Sequence, residues 1–136
     1  MGSRRLAREC ALKILFQIEL SNTSLDDALR TFWIQEEYDA SVQEFAVRLV
    51  TGVVGEKEQI DQDILASSHH WKIDRMAPVD KNILRLAVYE LKRFSDVPAK
   101  VTLNEAIEIA KKYGTEESGS FINGILDKIT KDLEKS

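Results

Sequence analysis

Arg4, Arg5, Arg8 and Lys13 lie within ten residues of one another and lead to Phe16. Guanidiniums and an ammonium suit phosphate oxygens, and a phenyl ring gives an unpaired base something to stack on. This stretch therefore has the chemistry of a single-stranded RNA site. At roughly 100° per residue, Arg5, Leu12 and Phe16 fall on one helical face with Glu9 and Lys13 beside them. Ala7, Ala11, Ile14, Leu15 and Ile18 make a separate, apolar face. A second reading fits the same residues: a solvated amphipathic helix whose Phe16 packs under a neighbour. Charge runs usually mark solvated surface, so the helix taken alone favours that second reading.

The charge distribution bears on the choice. Subtracting the +3 of residues 4–13 from the net −4 of the chain leaves about −7 elsewhere. An acidic body repels nucleic acid over most of its surface and confines contact to the basic end. Other chemistries find less support. His69-His70 with Asp61 and Asp63 is the one metal candidate, but adjacent histidines diverge on a helix and neither carboxylate has zinc-motif spacing, so no metal is expected. No nucleophile carries a local signature such as G-x-S-x-G, and no catalytic residue is assigned. Gly52-Val53-Val54-Gly55 matches G-x-x-G only in letters, because its interior is apolar and its setting helical. Glu116-Glu117 before Ser118 suit a helix start, where the dipole favours negative charge, or alternatively border N–H groups offered to RNA. Cys10 is the only cysteine. It reads as a small buried hydrophobe in a reducing compartment.

The elements that must hold these residues are all helical. Ser24 with Asp27 looks like a capping box opening a helix through Leu25, Ala28, Leu29 and Phe32. Ser41 with Glu44 looks like another, opening a rod to about residue 67 that Gly52 and Gly55 bend without ending. Ser67-Ser68-His69-His70-Trp71-Lys72 reads as a joint between an N-terminal half of about 1–70 and a C-terminal half of about 71–136. Pro78 suits the first turn of a helix reaching about Phe94 and apolar nearly all round. Thr102 with Glu105 predicts a helix from there to Tyr113, with Gly114 as its stop. A last helix starts near Ser118. No strand alternation appears, so the expected class is all-α: two packed three-helix bundles, about seven helices in one domain. No apolar run is long enough to cross a bilayer, and no signal-peptide pattern is evident.

Three blocks carry a family resemblance. They are Arg4-Arg5-Leu6-Ala7-Arg8-Glu9-Cys10-Ala11, Val79-Asp80-Lys81-Asn82-Ile83-Leu84-Arg85-Leu86-Ala87-Val88-Tyr89-Glu90-Leu91, and Val97-Pro98 through Asp127. The last contains Asn104-Glu105-Ala106-Ile107-Glu108-Ile109-Ala110-Lys111, Tyr113-Gly114-Thr115-Glu116 and Phe121-Ile122-Asn123-Gly124-Ile125-Leu126-Asp127. In order and register this resembles the NusB family of bacterial transcription antitermination factors, with residues 21–75 matching only in helix pattern. The resemblance implies a non-catalytic cytoplasmic protein without cofactors. Such a protein binds boxA-type single-stranded RNA of ribosomal transcripts together with ribosomal protein NusE. It joins RNA polymerase and the other Nus factors and suppresses Rho-dependent termination.

Carried over residue by residue, the resemblance puts RNA contacts at Arg4, Arg5, Arg8, Phe16, Glu117 and Ser118, with Lys13 beside them. It puts a NusE surface at Arg75, Asp80 and Leu84. Leu6 and Ser120 stand where further cations are common, and Phe16 where tyrosine is frequent. Each missing phosphate contact lowers the salt slope of binding by about one unit. A homodimer covering the RNA surface is known in some members and absent in others. Two rival readings are a related RNA-binding domain of ribosomal RNA methyltransferases, disfavoured because no catalytic domain follows the last helix, and a helical adaptor that binds only proteins.

Overall fold

The computed structural model describes residues 3–69 and 73–134. Seven α-helices follow one another: α1 (Ser3–Ser21), α2 (Leu25–Gln35), α3 (Ala40–Gly55), α4 (Lys57–Ser67), α5 (Pro78–Arg93), α6 (Ala99–Tyr113) and α7 (Ser118–Asp132), with a 3-10 turn at Ile73–Arg75. There is no strand among the described residues, as the missing alternation predicts.

The helices α1, α2 and α3 pack on one another, and so do α5, α6 and α7. One apolar cluster runs through both groups, from Ala11 and Leu15 of α1 to Leu126 and Ile129 of α7. Helix α4 packs on α5 and α7 through Ile60 and Ile64, which are fully buried. Helix α4, which the sequence assigns to an N-terminal half ending near residue 70, thus packs mainly on α5 and α7. His70, Trp71 and Lys72, which the sequence reading placed in the joint, lie outside the described residues.

Sequence signals and observed ends agree where a side chain performs the capping. The Ser24 hydroxyl accepts from the Asp27 N–H at 3.2 Å and starts α2. Pro78 occupies the first turn of α5, and Gly114 closes α6 with its N–H on the Ala110 carbonyl at 2.8 Å. Three expectations need correction. The rod through residue 67 is two helices, broken at Glu56, whose carboxylate receives the Arg93 guanidinium of α5 at 2.7–3.1 Å. Helix α3 starts one residue before Ser41. Helix α6 starts at Ala99, not after Thr102, because Thr102 is turned into the core towards Glu90 and makes no cap.

Helix α5 is the axis of the molecule. It packs against α1, α3, α4, α6 and α7, and every residue from Lys81 to Val88 is buried. A helix with neighbours on all sides must still house its polar residues, and Lys81, Asn82, Arg85 and Glu90 all find partners. Lys81 Nζ meets Glu19 at 2.6 Å, and Arg85 forks onto Asp61 at 2.8 and 2.9 Å while also reaching Glu19. Asp61 and, through Lys92 at 2.8 Å, Asp63 are thus committed to ion pairs with α5. The two carboxylates of the metal candidate serve the packing of α4.

Glycine is required where α3 crosses α5: a Cβ on Gly52 would overlap the Tyr89 ring, whereas one on Gly55 would meet nothing within 4 Å. Gly52→Ala is expected to lower unfolding free energy by about 1–3 kcal/mol despite the better helix former. Gly55→Ala should be neutral or raise it by about 0.5–1 kcal/mol. Urea denaturation of both variants checks the pair, and a stabilised Gly52→Ala would contradict the packing.

Candidate nucleic-acid interface

Helix α1 was expected to turn an apolar face inward and Arg5, Leu12 and Phe16 outward. Instead Ala7 through Leu12 are all buried, because α3 and α5 cover two sides and α6 reaches a third through side chains. Leu12 is 3 % exposed and belongs to the core. Cys10, 1 % exposed, does behave as a small buried hydrophobe.

The basic cluster consequently divides in two. Arg8 is buried and forks onto the Glu90 carboxylate of α5, Nε and the terminal nitrogen lying 2.7 and 2.8 Å from its two oxygens. Two of its nitrogens are committed to Glu90, its third lies 3.9 Å from Glu105, and only 5 % of the residue is exposed, so the expected phosphate contact at Arg8 gives way to a structural pair. Arg5 forks in the same way onto Glu105 of α6, at 2.8 Å for both bonds, but its side chain stays exposed. That hydrogen bond, reinforced by the opposite charge, raises the Arg5 pKa and holds Glu105 below the ordinary carboxylate range. Arg4 is exposed, lies 4.7 Å over the Phe45 ring of α3, and has no ion pair among the described residues. Lys13 is likewise exposed, with no ion pair among the described residues. Phe16 is half-buried and belongs to neither apolar cluster, so its ring is the one aromatic of α1 left at the surface.

The end of α6 is brought beside α1 by Glu9. Its Oε1 accepts from Lys112 Nζ and from the Tyr113 hydroxyl, each at 2.8 Å. Burial alone would raise the Glu9 pKa, but these two donors outweigh it and hold the carboxyl low. Burial, and secondly its bond to Glu9, raises the Tyr113 pKa, and the bond to Glu9 raises that of Lys112. The turn following Tyr113 holds Glu117 and Ser118, so the Glu9 bonds draw the second expected RNA contact towards the face of α1 that carries Lys13. Glu117 is exposed there. Ser118, 1 % exposed, is not: its hydroxyl accepts the Thr115 N–H at 2.9 Å and fixes the turn. A Cβ at Gly114 would stand 2.5 Å from that hydroxyl, which is why the turn needs glycine. Beside the turn runs an open groove of about 630 Å³ lined by Ile107, Lys111, Thr115, Glu116, Ser120 and Asn123.

A larger open groove, about 710 Å³, lies at the start of α1. Arg4, Arg5 and Arg8 line it with Val97, Pro98, Val101, Asp96 and Glu105. It faces the Phe94–Pro98 loop between α5 and α6.

The comparisons with known proteins fit this arrangement. The family model described as NusB family matches residues 5–131. The chain belongs to the NusB family. It is 51 % identical over 135 residues to the transcription antitermination protein NusB of Anaeromyxobacter dehalogenans, covering 98 % of this chain and 94 % of that protein. The NusB of Bdellovibrio bacteriovorus is 52 % identical over 134 residues, covering 96 % and 97 %. The solved structure of T. maritima NusB superposes with a TM-score of 0.88 at 42 % identity, over 97 % of this chain and 92 % of that one. A crystal structure of antitermination factors NusB and NusE in complex with dsRNA gives 0.88 at 28 % identity, over 97 % and 98 %.

For the expected NusE surface, Arg75 is exposed in the 3-10 turn. Asp80 is half-buried at the start of α5, with Oδ1 buried and unpartnered. Leu84 is 0 % exposed and cannot be touched by a partner, since α5 is surrounded at that level. The sequence reading also missed Glu90, Glu105, Lys112 and Tyr113, which position α1. Charged residues inside a helix apolar all round, Arg85 and Glu90, were the available signal that buried pairs exist.

Because Glu90 would be stranded, Arg8→Met is expected to cost about 3–5 kcal/mol of stability. Arg8→Met with Glu90→Met should regain most of that loss. Denaturant unfolding of the wild type, both single variants and the double variant measures the coupling. Additive single losses would contradict the buried pair.

Proposed function

We propose that this chain is a transcription antitermination factor that has no catalytic role and binds boxA-type single-stranded RNA of ribosomal transcripts jointly with NusE. The observation that carries the reading is similarity across nearly the whole chain to NusB proteins, one of them solved with NusE and dsRNA. The physical support is local: an acidic protein with net charge −4 keeps the exposed cations Arg4 and Lys13 and the half-buried Phe16 ring along one helix.

In this reading Arg4 and Lys13 meet phosphates, the half-buried Phe16 stacks a base, and Glu117 borders the strand beside the α6–α7 turn. Arg5 contributes its exposed edge while anchored to Glu105. Arg8 and Ser118 act by holding α1 and the turn in place. NusE docks on the surface carrying Arg75 and Asp80. The assembled pair joins RNA polymerase with the other Nus factors in the bacterial cytoplasm and opposes Rho-dependent termination. Among the described residues no helix is long and apolar enough to cross a membrane. A homodimer that covered Arg4 and Phe16 would compete with RNA and serve as a resting state.

Titration of a boxA-type RNA and a scrambled control, at two salt concentrations and with or without NusE, tests the assignment. Tighter binding of boxA in the presence of NusE is expected. Phe16→Ala should weaken it by about 1–3 kcal/mol, the worth of one stacked base. Lys13→Gln should reduce the salt slope by about one. Equal affinity for the scrambled RNA, or no effect of NusE, would count against the reading.

A further inference from the structure

The carboxylates of the molecule decide which cations remain available. Arg5 is matched to Glu105, Arg8 to Glu90, Arg85 to Asp61 and Glu19, and Arg93 to Glu56. Two arginines are treated differently. Arg4 of α1 lies 4.7 Å over the Phe45 ring, and Arg48 of α3 lies 4.1 Å over the Phe94 ring. Both are exposed, and neither has an ion pair among the described residues. The two rings touch at 5.5 Å between centroids, and Tyr89 braces Phe94 edge-on at 5.7 Å. Two guanidiniums thus sit over one supported aromatic pair, outside any ion pair among the described residues.

The geometry points to this stack as a further RNA contact, in which Arg48 binds a backbone phosphate and extends the binding face from α1 onto α3. The proposal rests on the RNA-binding reading above. A guanidinium placed over a ring, with no carboxylate taking up its N–H donors, keeps them for a phosphate. Arg4 joins this stack to the groove lined by Val97, Pro98 and Val101, which gives the strand a continuous path past the Phe94–Pro98 loop. An uncompensated planar cation in a protein that is acidic overall fits a polyanion with unstacked bases. The arginine motif at the chain start does not include Arg48, 40 residues away from Arg8 in sequence and joined to it through Phe45, which Arg8 also faces at 5.6 Å.

The test is titration of a boxA-type RNA into the NusE complex of the wild type, Arg48→Gln, Arg48→Lys and Lys13→Gln at two salt concentrations, with thermal melting as the folding control. Arg48→Gln should weaken binding about three-fold and lower the salt slope by about one. Arg48→Lys, which keeps the charge, should retain the slope. Wild-type affinity and slope for a folded Arg48→Gln would overturn the inference. If Lys13→Gln then still weakens binding, the RNA-binding reading survives. Absence of binding by the wild type would overturn both.

Discussion

The arrangement of this protein depends on one buried charge pair, Arg8 with Glu90. A carboxylate 2 % exposed in the last turn of the central helix cannot be left alone, since an unpaired buried charge is costly. Its partner must come from α1, and only a planar two-pronged donor fills both oxygens at 2.7 and 2.8 Å. Thr102 of α6 lies 3.5 Å from the same carboxylate, so three helices meet on it. Such a pair adds little net stability over well-packed apolar groups, but it fixes register, because sliding α1 by one residue would bury Arg8 and Glu90 apart.

With Arg8 pinned inward, the positions around it follow from helical geometry. Glu9 and Arg5 point at α6 and meet Lys112, Tyr113 and Glu105. Arg4 swings over Phe45 of α3. Lys13 and Phe16 emerge on the side where the Glu9 contacts bring the α6–α7 turn. The same interaction that locks the fold therefore sorts the basic residues into those consumed by carboxylates and those free for phosphate. RNA affinity built from a few cations and one ring is expected to be salt-sensitive.

Much of this was readable from residues. The all-helical class followed from periodicity, and the Ser24, Pro78 and Gly114 boundaries came from local chemistry that needs no tertiary context. The false boundaries share a cause. Ser41 and Thr102 look like caps, but capping competes with other uses of a hydroxyl, and Thr102 is drawn to Glu90. At the break Glu56 pairs with Arg93, 37 residues away, a contact that no window on α3 contains. At the interface the basic cluster was visible, whereas its division was not. Arg5, Arg8 and Arg4 are alike in type and adjacent in sequence, and only the positions of Glu105, Glu90 and Phe45 separate their roles. Leu84 was placed at a partner surface by resemblance although its own helix reads as apolar all round, and the periodicity was the better guide.

The central claim, that Arg8 is structural while Arg4 faces RNA, has a direct test in the side-chain Nε–H resonances of the arginines. NMR spectra of the NusE complex would be followed as boxA-type RNA is added. The account predicts an Arg8 Nε–H that exchanges slowly with water and holds its shift throughout, and an Arg4 resonance that exchanges fast when free and moves with RNA. An Arg8 signal that exchanges rapidly and follows the RNA as Arg4 does would contradict it.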